Sequence, residues 1–468
     1  MGATLPGGYP SQVSTNVWHP FADMSSVTGD GFVIVSGHGC TVRGEDGRDY
    51  LDATAGLWYC NVGHGRTEIG EAVAHQMGSI AAYSNFGDFS TRPTIELANR
   101  LSAMAPMSEA KVFFTSGGSD SVDTAVKMVR RYWEIVGKPE RQLIVTRTHS
   151  YHGMHVGGTQ LSGIVSNRAG YGFADDDALN VVWNDADALA ARLDEIGPDR
   201  VAAFFCEPVI GAGGVYTAPT GYLEEVREIC RSRDVLFVAD EVITGFGRTG
   251  RMFASSGLDP DIVLTAKGLT SGYLPLGAVL VGARVSEPFF TTPGLMWRHG
   301  YTYSGHASTA VAASTNLDIV EREDLVAKVA DSALSLTAAL LPLRDHDLVT
   351  EVRSGSGLLA AVQLDPEAVL ADPTLLPRII RNMRENGVLT RALVSGAIQV
   401  SPPFVVTRAE LRMISGAIDA ALVSVGSRRT PVTTSDAALL PDVTSDEAGG
   451  FGNSDAQLLA DVPPHHGT

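Results

Sequence analysis

A strand–helix–strand pattern in the middle of the chain places the strongest constraint on its fold. Two apolar segments of strand length, VAAFFCEPV (201–209) and VLFVADEV (235–242), flank a helix-forming segment at 221–234. That segment carries one apolar stripe at helical spacing, formed by Leu223, Val226, Ile229 and Cys230. Two strands joined by such a helix form a parallel pair with a right-handed crossover, because only that hand packs the helix back onto the sheet.

The same alternation extends towards the N-terminus. The strand-like segment KVFFTS (111–116) precedes an amphipathic helical segment at 119–136, and another strand-like segment follows at 141–147. Further helical periodicity occurs in SLTAALLPL and AELRMISGAIDAAL, near the C-terminus. The chain therefore predicts an α/β fold with a mostly parallel sheet.

Length and composition predict two folded domains followed by a tail. A chain of 468 residues is too long for one small core. We expect a large domain at 61–324 and a smaller α/β domain that combines residues 1–60 with 325–430. The remaining segment, 431–468, holds six acidic residues and no lysine or arginine, and we expect it to be disordered.

Charge and cysteine usage exclude several classes of partner. The net charge of −18 disfavours nucleic acid and anionic membranes. Apolar runs of strand length and the lack of a charged n-region before an apolar h-region predict a cytoplasmic protein with no membrane span. The four cysteines lack CxxC spacing, so reduced thiols are expected, with no disulfide and no metal site.

Polar residues close three of the predicted strands, at Ser116, Glu207 and Asp240. In parallel sheets, ligands gather at the carboxyl ends of the strands. Lys267 lies downstream on a glycine-flanked loop, in LTAKGLTSGY. Pyridoxal phosphate (PLP) needs a lysine amine for a Schiff base and a carboxylate that keeps its ring nitrogen protonated. Lys267 and Asp240 together therefore suggest PLP, and the other segments must test that hypothesis.

The segment TSGGSDS (115–121) leads from a strand into a helix N-terminus. Its unhindered N–H groups and the helix dipole favour a phosphate, to which Ser119 could add a hydroxyl donor. Alternatively, Ser119 or Asp120 is an ordinary N-cap.

Three more residues follow strands and have two possible roles each. Tyr151 could stack on a pyridine ring and His152 could border it, or both could pack in the core. Glu207 could hold a water or the ring-hydroxyl side of a cofactor, or it could cap the loop that follows it.

Two nucleotide-binding patterns can be set aside. The segment 115–121 departs from the G-x-x-x-x-G-K-[ST] pattern of P-loop nucleotidases. The segment 245–250 matches G-x-G-x-x-G literally, but four residues separate it from Asp240 and no helical stripe follows it. A dinucleotide site requires both contexts.

Four segments taken together resemble class III aminotransferases of the PLP-dependent fold type I superfamily: ADEVITGFGRTG, TAKGLTSGYLPLGAV, EPVIGAGGVYTAPTGY and HGYTYSGHA. The resemblance covers nearly all of residues 15–425, and LDATAGLWYCNVGHG (51–65) is similar to the ω-transaminase branch. It implies the type I fold, bound PLP, and a homodimer in which both chains build each active site.

The resemblance implies a role for each matching cofactor residue. Lys267 would form the Schiff base and Asp240 would contact the ring nitrogen, while Val242 and Tyr151 would pack on opposite ring faces. The phosphate would be held by the loop residues Ser116, Gly117, Gly118 and Ser119, and by Thr302 of the neighbouring subunit. The family commonly reads S-G-S-E-A-N at this loop, whereas Gly117 and Val122 replace its usual Ser and Asn here. One hydroxyl donor is therefore missing, and Ser116 could replace it.

The resemblance also implies substrate residues and a reaction. Trp58 and Tyr59 would shape the pocket, and Arg391 would be a mobile arginine that binds a keto-acid carboxylate; otherwise Arg391 is a surface charge at a strand end. The expected reaction moves an amino group from an amine or ω-amino acid to a keto acid, with pyruvate favoured over 2-oxoglutarate. Alternatives are a PLP-dependent aminomutase or decarboxylase of the same fold, or a catalytically silent PLP-binding protein.

Overall fold

The computed structural model describes residues 16–27, 31–173 and 179–428, so the predicted tail at 431–468 lies outside the described residues. The strands are β1 (Ile34–His38), β2 (Thr41–Gly44), β3 (Asp49–Asp52), β4 (Lys111–Thr115), β5 (Leu143–Arg147), β6 (Leu179–Val181), β7 (Val201–Cys206), β8 (Val209–Ile210), β9 (Tyr216–Thr217), β10 (Leu236–Asp240), β11 (Ile262–Thr265), β12 (Gly277–Val281), β13 (Val349–Arg353), β14 (Ala360–Leu364), β15 (Val388–Leu389) and β16 (Ala397–Val400).

The helices cover most of the segments between these strands. They are α1 (Met24–Val27), α2 (Ala55–Trp58), α3 (Thr67–Ser79), α4 (Arg92–Met104), α5 (Gly118–Ile135), α6 (Val156–Leu161), α7 (Val165–Arg168), α8 (Ala186–Ile196), α9 (Tyr222–Ser232), α10 (Ala283–Thr291), α11 (Ala307–Arg322), α12 (Leu325–Leu340), α13 (Pro366–Ala371), α14 (Leu375–Glu385) and α15 (Arg408–Ser424).

A seven-stranded sheet dominates the middle of the chain, in the order β4-β12-β11-β10-β7-β5-β6. Strand β12 is antiparallel to both of its neighbours, β11 and β4, and the other strands share one direction. The mostly parallel sheet predicted from the sequence is therefore confirmed. Strands β7 and β10 pair directly, and α9 connects them as predicted.

Helices cover this sheet on both faces, because successive strand residues point to opposite sides. Phe205 of β7 belongs to the cluster that contains Trp133 of α5. Its neighbour Phe204 belongs to the cluster that contains Val226 of α9. All four side chains are fully or almost fully buried, which explains why β7 reads as a continuous apolar run.

Of two smaller sheets, one combines strands from both ends of the chain and the other uses strands from the C-terminal part. The first has the order β1-β2-β3-β15, and the second has the order β13-β14-β16. In the first, Val388 and Leu389 of β15 pair in parallel with Leu51 and Asp52 of β3. This pairing joins the segments that we assigned to the smaller domain, whose boundaries stay a prediction.

The segment Leu325–Asp345, which contains α12, is long and apolar enough to cross a membrane by length and composition alone. One stripe of it, Leu325, Val329, Leu336 and Leu340, is buried in a cluster shared with α15 and β14. Such a stripe is the pattern of a helix that packs on a folded core. The expected absence of a membrane partner stays a prediction.

Candidate active site

The predicted site residues converge at the carboxyl edge of the large sheet. Ser116 follows β4, Glu207 follows β7, Asp240 ends β10, and Lys267 comes two residues after β11. Because these strands are parallel, their carboxyl ends meet at one edge. The sheet thus brings together residues that are up to 151 positions apart in the sequence.

Asp240 is buried and held from two sides. One carboxylate oxygen is 2.8 Å from Nδ1 of His152, and the other accepts a hydrogen bond from the backbone N–H of Val242 at 3.1 Å. His152 is itself buried, and its Nε2 has no hydrogen-bond partner in the described chain. The core-packing interpretation of His152 is therefore incomplete, since its ring also orients Asp240.

Glu207 is buried beside this pair. Its carboxylate accepts hydrogen bonds from the backbone N–H groups of Tyr151, at 2.8 Å, and Gly211, at 3.1 Å. Burial raises the pKa of Glu207, and the nearby His152 opposes that rise. Glu207 thus fixes the backbone at Tyr151, in addition to capping the loop that follows β7.

Lys267 begins a single 3-10 turn, Lys267–Leu269, and has a positive φ of 43°. A lysine rarely adopts this left-handed conformation, and such local strain is concentrated at functional sites. Burial lowers the pKa of Lys267 to about 8, although the charges of Asp240 and Glu207 act in the opposite direction. A larger fraction of its amine is therefore neutral near neutral pH than for an ordinary lysine.

The glycine pair leads directly into α5, as the sequence indicated. The N-cap of α5 is Gly117 and no side chain caps the helix, so the interpretation of Ser119 or Asp120 as the N-cap is wrong. Instead, Ser119 Oγ accepts a hydrogen bond from the backbone N–H of Met154 at 3.1 Å. The N–H groups of the first helical turn have no partner within the helix and can bind an anion.

Trp58 is buried and forms one wall beside Lys267. The lysine Nζ lies 5.5 Å from the centroid of the Trp58 ring. Trp58 ends the irregular segment α2, in which Ala55 and Trp58 have positive φ angles of 48° and 61°. Tyr59 lies next to it, and its ring occupies the space that a Cβ on Gly56 or Gly272 would require.

Asp52 holds the turn that carries Trp58. Its carboxylate accepts hydrogen bonds from the backbone N–H groups of Thr54, at 2.9 Å, and Gly56, at 2.7 Å, and lies 2.9 Å from Nε2 of His64. Burial raises the pKa of Asp52, but these contacts outweigh burial and lower it overall. The carboxylate therefore stays ionised inside the fold.

Arg391 also lies against the Trp58 ring. Its guanidinium carbon is 4.3 Å from the ring centroid, and its Nε donates to Oε1 of Gln399 at 2.7 Å. Burial lowers the pKa of Arg391 to about 10. The interpretation of Arg391 as a surface charge is therefore wrong, because Arg391 is a partly buried cation that lies against Trp58.

Val242 lies in the site, whereas Thr302 is exposed and lies outside it in this chain. A Cβ on Gly118 would be 2.9 Å from Val242, so Val242 packs directly against the start of α5. Thr302 is exposed, and within the described residues it makes no hydrogen bond to the other site residues. The chain by itself does not bring Thr302 into this site.

Sequence reasoning missed Asp52, His64 and Gln399. Asp52 and His64 gave no signal, because a polar residue at a strand end or in a loop is usual and does not indicate a specific contact. Gln399 did give one: it is a polar residue within the apolar strand AIQV (397–400) and is fully buried. A buried amide needs hydrogen-bond partners, so such a position predicts a specific polar contact.

The residues at this edge fit PLP. Lys267 supplies an amine with a lowered pKa, and Asp240 supplies a buried carboxylate that His152 orients. Backbone N–H groups at the start of α5 supply a phosphate site without side-chain obstruction, since a Cβ on Gly117 would meet nothing within 4 Å. These are the three functions that PLP requires of a protein.

Comparison with known proteins agrees with this chemistry. The class-III aminotransferase family profile matches residues 24–422. The chain is 36% identical over 418 residues to putrescine–pyruvate aminotransferase of Pseudomonas aeruginosa. The aligned region covers 84% of this chain and 91% of that protein. It is 35% identical over 373 residues to omega-amino acid–pyruvate aminotransferase of Pseudomonas putida. That alignment covers 75% of this chain and 83% of the Pseudomonas putida protein.

A solved structure shows the same fold. The PLP-bound amine transaminase from an uncultivated Pseudomonas species superposes with a TM-score of 0.82 at 36% identity, covering 88% of this chain and 100% of that chain. Fold type I and the parallel sheet are thereby confirmed. The chain belongs to the class III aminotransferases, which are PLP-dependent enzymes.

Proposed function

We propose that this aminotransferase takes the amino group of an amine or ω-amino acid and passes it to pyruvate. The observation that carries the proposal is the position of Arg391, which lies against the same Trp58 ring as a lysine of lowered pKa. A guanidinium without a carboxylate partner is suited to bind the carboxylate of an incoming keto acid. The two relatives compared above are named for pyruvate as the acceptor.

When bound, PLP would supply the electron sink that allows the donor carbon to lose its proton. The protein residues divide the remaining work. The neutral Lys267 amine is the base that takes that proton on Nζ, and it returns the proton later. Asp240, oriented by His152, would hold the ring nitrogen in its protonated state. Trp58 limits the space beside the amine, and Arg391 orients the acceptor.

Pyruvate is favoured over 2-oxoglutarate because Arg391 offers one guanidinium beside Trp58. Pyruvate carries one carboxylate, which that guanidinium can bind, whereas 2-oxoglutarate carries a second carboxylate that needs a partner of its own.

The alternatives predict different products. A decarboxylase releases carbon dioxide, and an aminomutase moves the amino group within one molecule and needs no keto acid. A silent binding protein takes up PLP without turnover. The decisive experiment incubates the purified protein with PLP, an amine and either pyruvate or 2-oxoglutarate, and measures alanine and glutamate. Alanine formation that exceeds glutamate formation supports the proposal; uptake of PLP without either product contradicts it.

We propose a homodimer in which Thr302 helps to hold the phosphate in the partner's site. Support comes from exposed aromatic side chains near Thr302 and in the segment 83–89: Tyr83, Phe86, Phe89 and Tyr303 are each more than half exposed. Clustered exposed apolar groups mark association surfaces. Analytical ultracentrifugation at micromolar concentration tests this proposal, and a monomer with full activity contradicts it.

We also propose that the protein acts in the cytoplasm. Its four cysteines are buried as free thiols, which is typical of a reducing compartment. Cell fractionation followed by detection of the native protein tests this location, and recovery in a membrane or extracellular fraction contradicts it.

A further inference from the structure

Gln399 is an uncharged polar side chain in the middle of a buried strand. It belongs to β16, whose four residues are all fully buried, and its own exposure is 0%. A buried amide is costly unless each of its groups finds a hydrogen-bond partner. The partners of Gln399 are therefore informative about its role.

Both ends of the amide are occupied. Its Oε1 accepts a hydrogen bond from Nε of Arg391 at 2.7 Å, and its Nε2 donates to Oγ of Ser401 at 2.5 Å. The backbone N–H of Ser401 donates in turn to the carbonyl of Ala53 at 2.7 Å, at the start of the turn that carries Trp58. Gln399 therefore links the arginine to the wall on which it stacks.

The backbone of Gln399 holds the same segment. Its N–H donates to the carbonyl of Arg391 at 3.1 Å, and its carbonyl accepts from Oγ1 of Thr390 at 2.5 Å. Side chain and main chain thus position Arg391 together. A side chain bound at Nε and packed against the Trp58 ring is already oriented before any ligand arrives.

These contacts use only Nε of Arg391 and leave its two terminal nitrogens available for a ligand. In the part of the chain that the structure describes, the two terminal nitrogens of Arg391 make no hydrogen bond and no carboxylate pairs with them. Two parallel N–H groups of this kind form the fork that binds a carboxylate in a bidentate manner. The neutral amide of Gln399 fixes the arginine without satisfying its charge, whereas a glutamate would neutralise it.

We propose that Gln399 is a positioning residue that presents Arg391 to the acceptor carboxylate and so sets the affinity of the enzyme for keto acids. The inference rests on the proposed function, because it assumes an acceptor that carries a carboxylate. It concerns the acceptor half of the reaction and leaves the amine half unaffected.

The test compares Gln399→Glu with the unaltered holoenzyme in two separate half-reactions. With benzylamine, which has no carboxylate, the rate should change by less than about twofold. With pyruvate, KM should rise by about tenfold or more, because a carboxylate at position 399 pairs with Arg391 at Nε and offsets the positive charge that attracts the acceptor. Inhibition by propionate, a carboxylate without a keto group, should weaken by a similar factor.

Gln363 provides a matched control. It lies in β14, next to β16, and its Oε1 accepts a hydrogen bond from Arg353 at 2.8 Å. Gln363→Glu therefore places a carboxylate beside a different arginine in the same sheet. This variant should leave KM for pyruvate within about twofold, as expected for a residue outside the acceptor site.

Gln399→Met covers the case in which the glutamate variant does not fold. It removes the hydrogen bond without adding charge, so KM for pyruvate should rise by a few-fold and propionate inhibition should weaken. The inference is overturned if both variants keep KM for pyruvate within twofold, or if both half-reactions slow equally. Failure of the unaltered enzyme to react with pyruvate would instead contradict the proposed function. That outcome is distinguishable, because it appears before any variant is compared.

Discussion

The strand-end group, formed by Glu207, Asp240 and Lys267, and the pocket wall, formed by Trp58 and Arg391, are built in different ways. The strand-end group follows regular parallel strands, and Asp240 is paired in register with Leu264 of the strand that precedes Lys267. The wall combines segments near opposite ends of the chain and includes two non-glycine residues of positive φ at 55 and 58. The chemical groups are therefore placed by the ends of regular strands, with left-handed backbone at Lys267 itself, while the expected specificity depends on an irregular turn held by buried polar contacts.

The largest expected effect comes from the strand-end group. Lys267→Ala removes the amine that acts as base, and alanine formation from an amine and pyruvate should fall by at least about a thousandfold. Lys328→Ala, an exposed lysine on α12, is the matched control and should retain activity. Substantial turnover by Lys267→Ala would show that another group carries out the proton transfer.

A smaller loss is expected from Asp240→Asn. The amide keeps the size of the side chain and can still contact His152 and Val242, but it no longer supplies the charge that keeps the ring nitrogen protonated. The rate constant kcat should fall by about a hundredfold, with unchanged thermal stability as a check on folding. A loss of less than about threefold would remove Asp240 from its proposed role.

The pocket wall should respond in KM and in stability more than in kcat. Asp52→Ala leaves the N–H groups of Thr54 and Gly56 without their acceptor, so the free energy of unfolding should fall by about 1–3 kcal/mol. KM for the amine should rise because Trp58 loses its position. Asp49→Ala removes only an exposed ion pair with Arg43 and should cost less than about 1 kcal/mol. If Asp52→Ala keeps the KM of the unaltered enzyme for amines, the hydrogen bonds of Asp52 are not needed to position Trp58.

Lys267 should also make stability depend on pH. Its folded-state pKa, about 8, lies below the ordinary value of 10.5, so within that interval the unfolded chain binds a proton that the folded chain has lost. In the PLP-free protein, the contribution of Lys267 to the free energy of unfolding should therefore rise as pH increases from about 8 to 10.5. Denaturant unfolding of the unaltered protein and of Lys267→Met isolates the effect, and parallel pH curves would show that the pKa of Lys267 is not lowered.

The smallest effect is expected at Thr302, outside both regions. Thr302→Val removes one hydroxyl from the proposed phosphate contact across the dimer, so PLP affinity should weaken by about three- to tenfold. Titration of the PLP-free protein measures this change, with Thr292→Val as the exposed control. Equal affinity in both variants would leave Thr302 without a role in PLP binding.

Much of the large sheet could be predicted from the sequence, and the bounds differ by only a few residues. The predicted strand at 235–242 is β10 (Leu236–Asp240), and the predicted helix at 119–136 is α5 (Gly118–Ile135). Buried parallel strands and amphipathic helices leave local patterns, because burial on both faces or on one stripe constrains residue type position by position. Placement of Asp240 and Lys267 at one edge followed from those patterns and parallel topology.

Local sequence patterns were enough to predict the α/β class, the mostly parallel sheet, and the lysine and aspartate at its edge. The surroundings of these two residues became known only from the folded chain: His152 orients Asp240, Asp52 holds the Trp58 turn, and Gln399 holds Arg391 without neutralising its charge. Periodicity reflects burial, whereas a hydrogen bond between side chains depends on distances and directions that arise only when separate segments pack together.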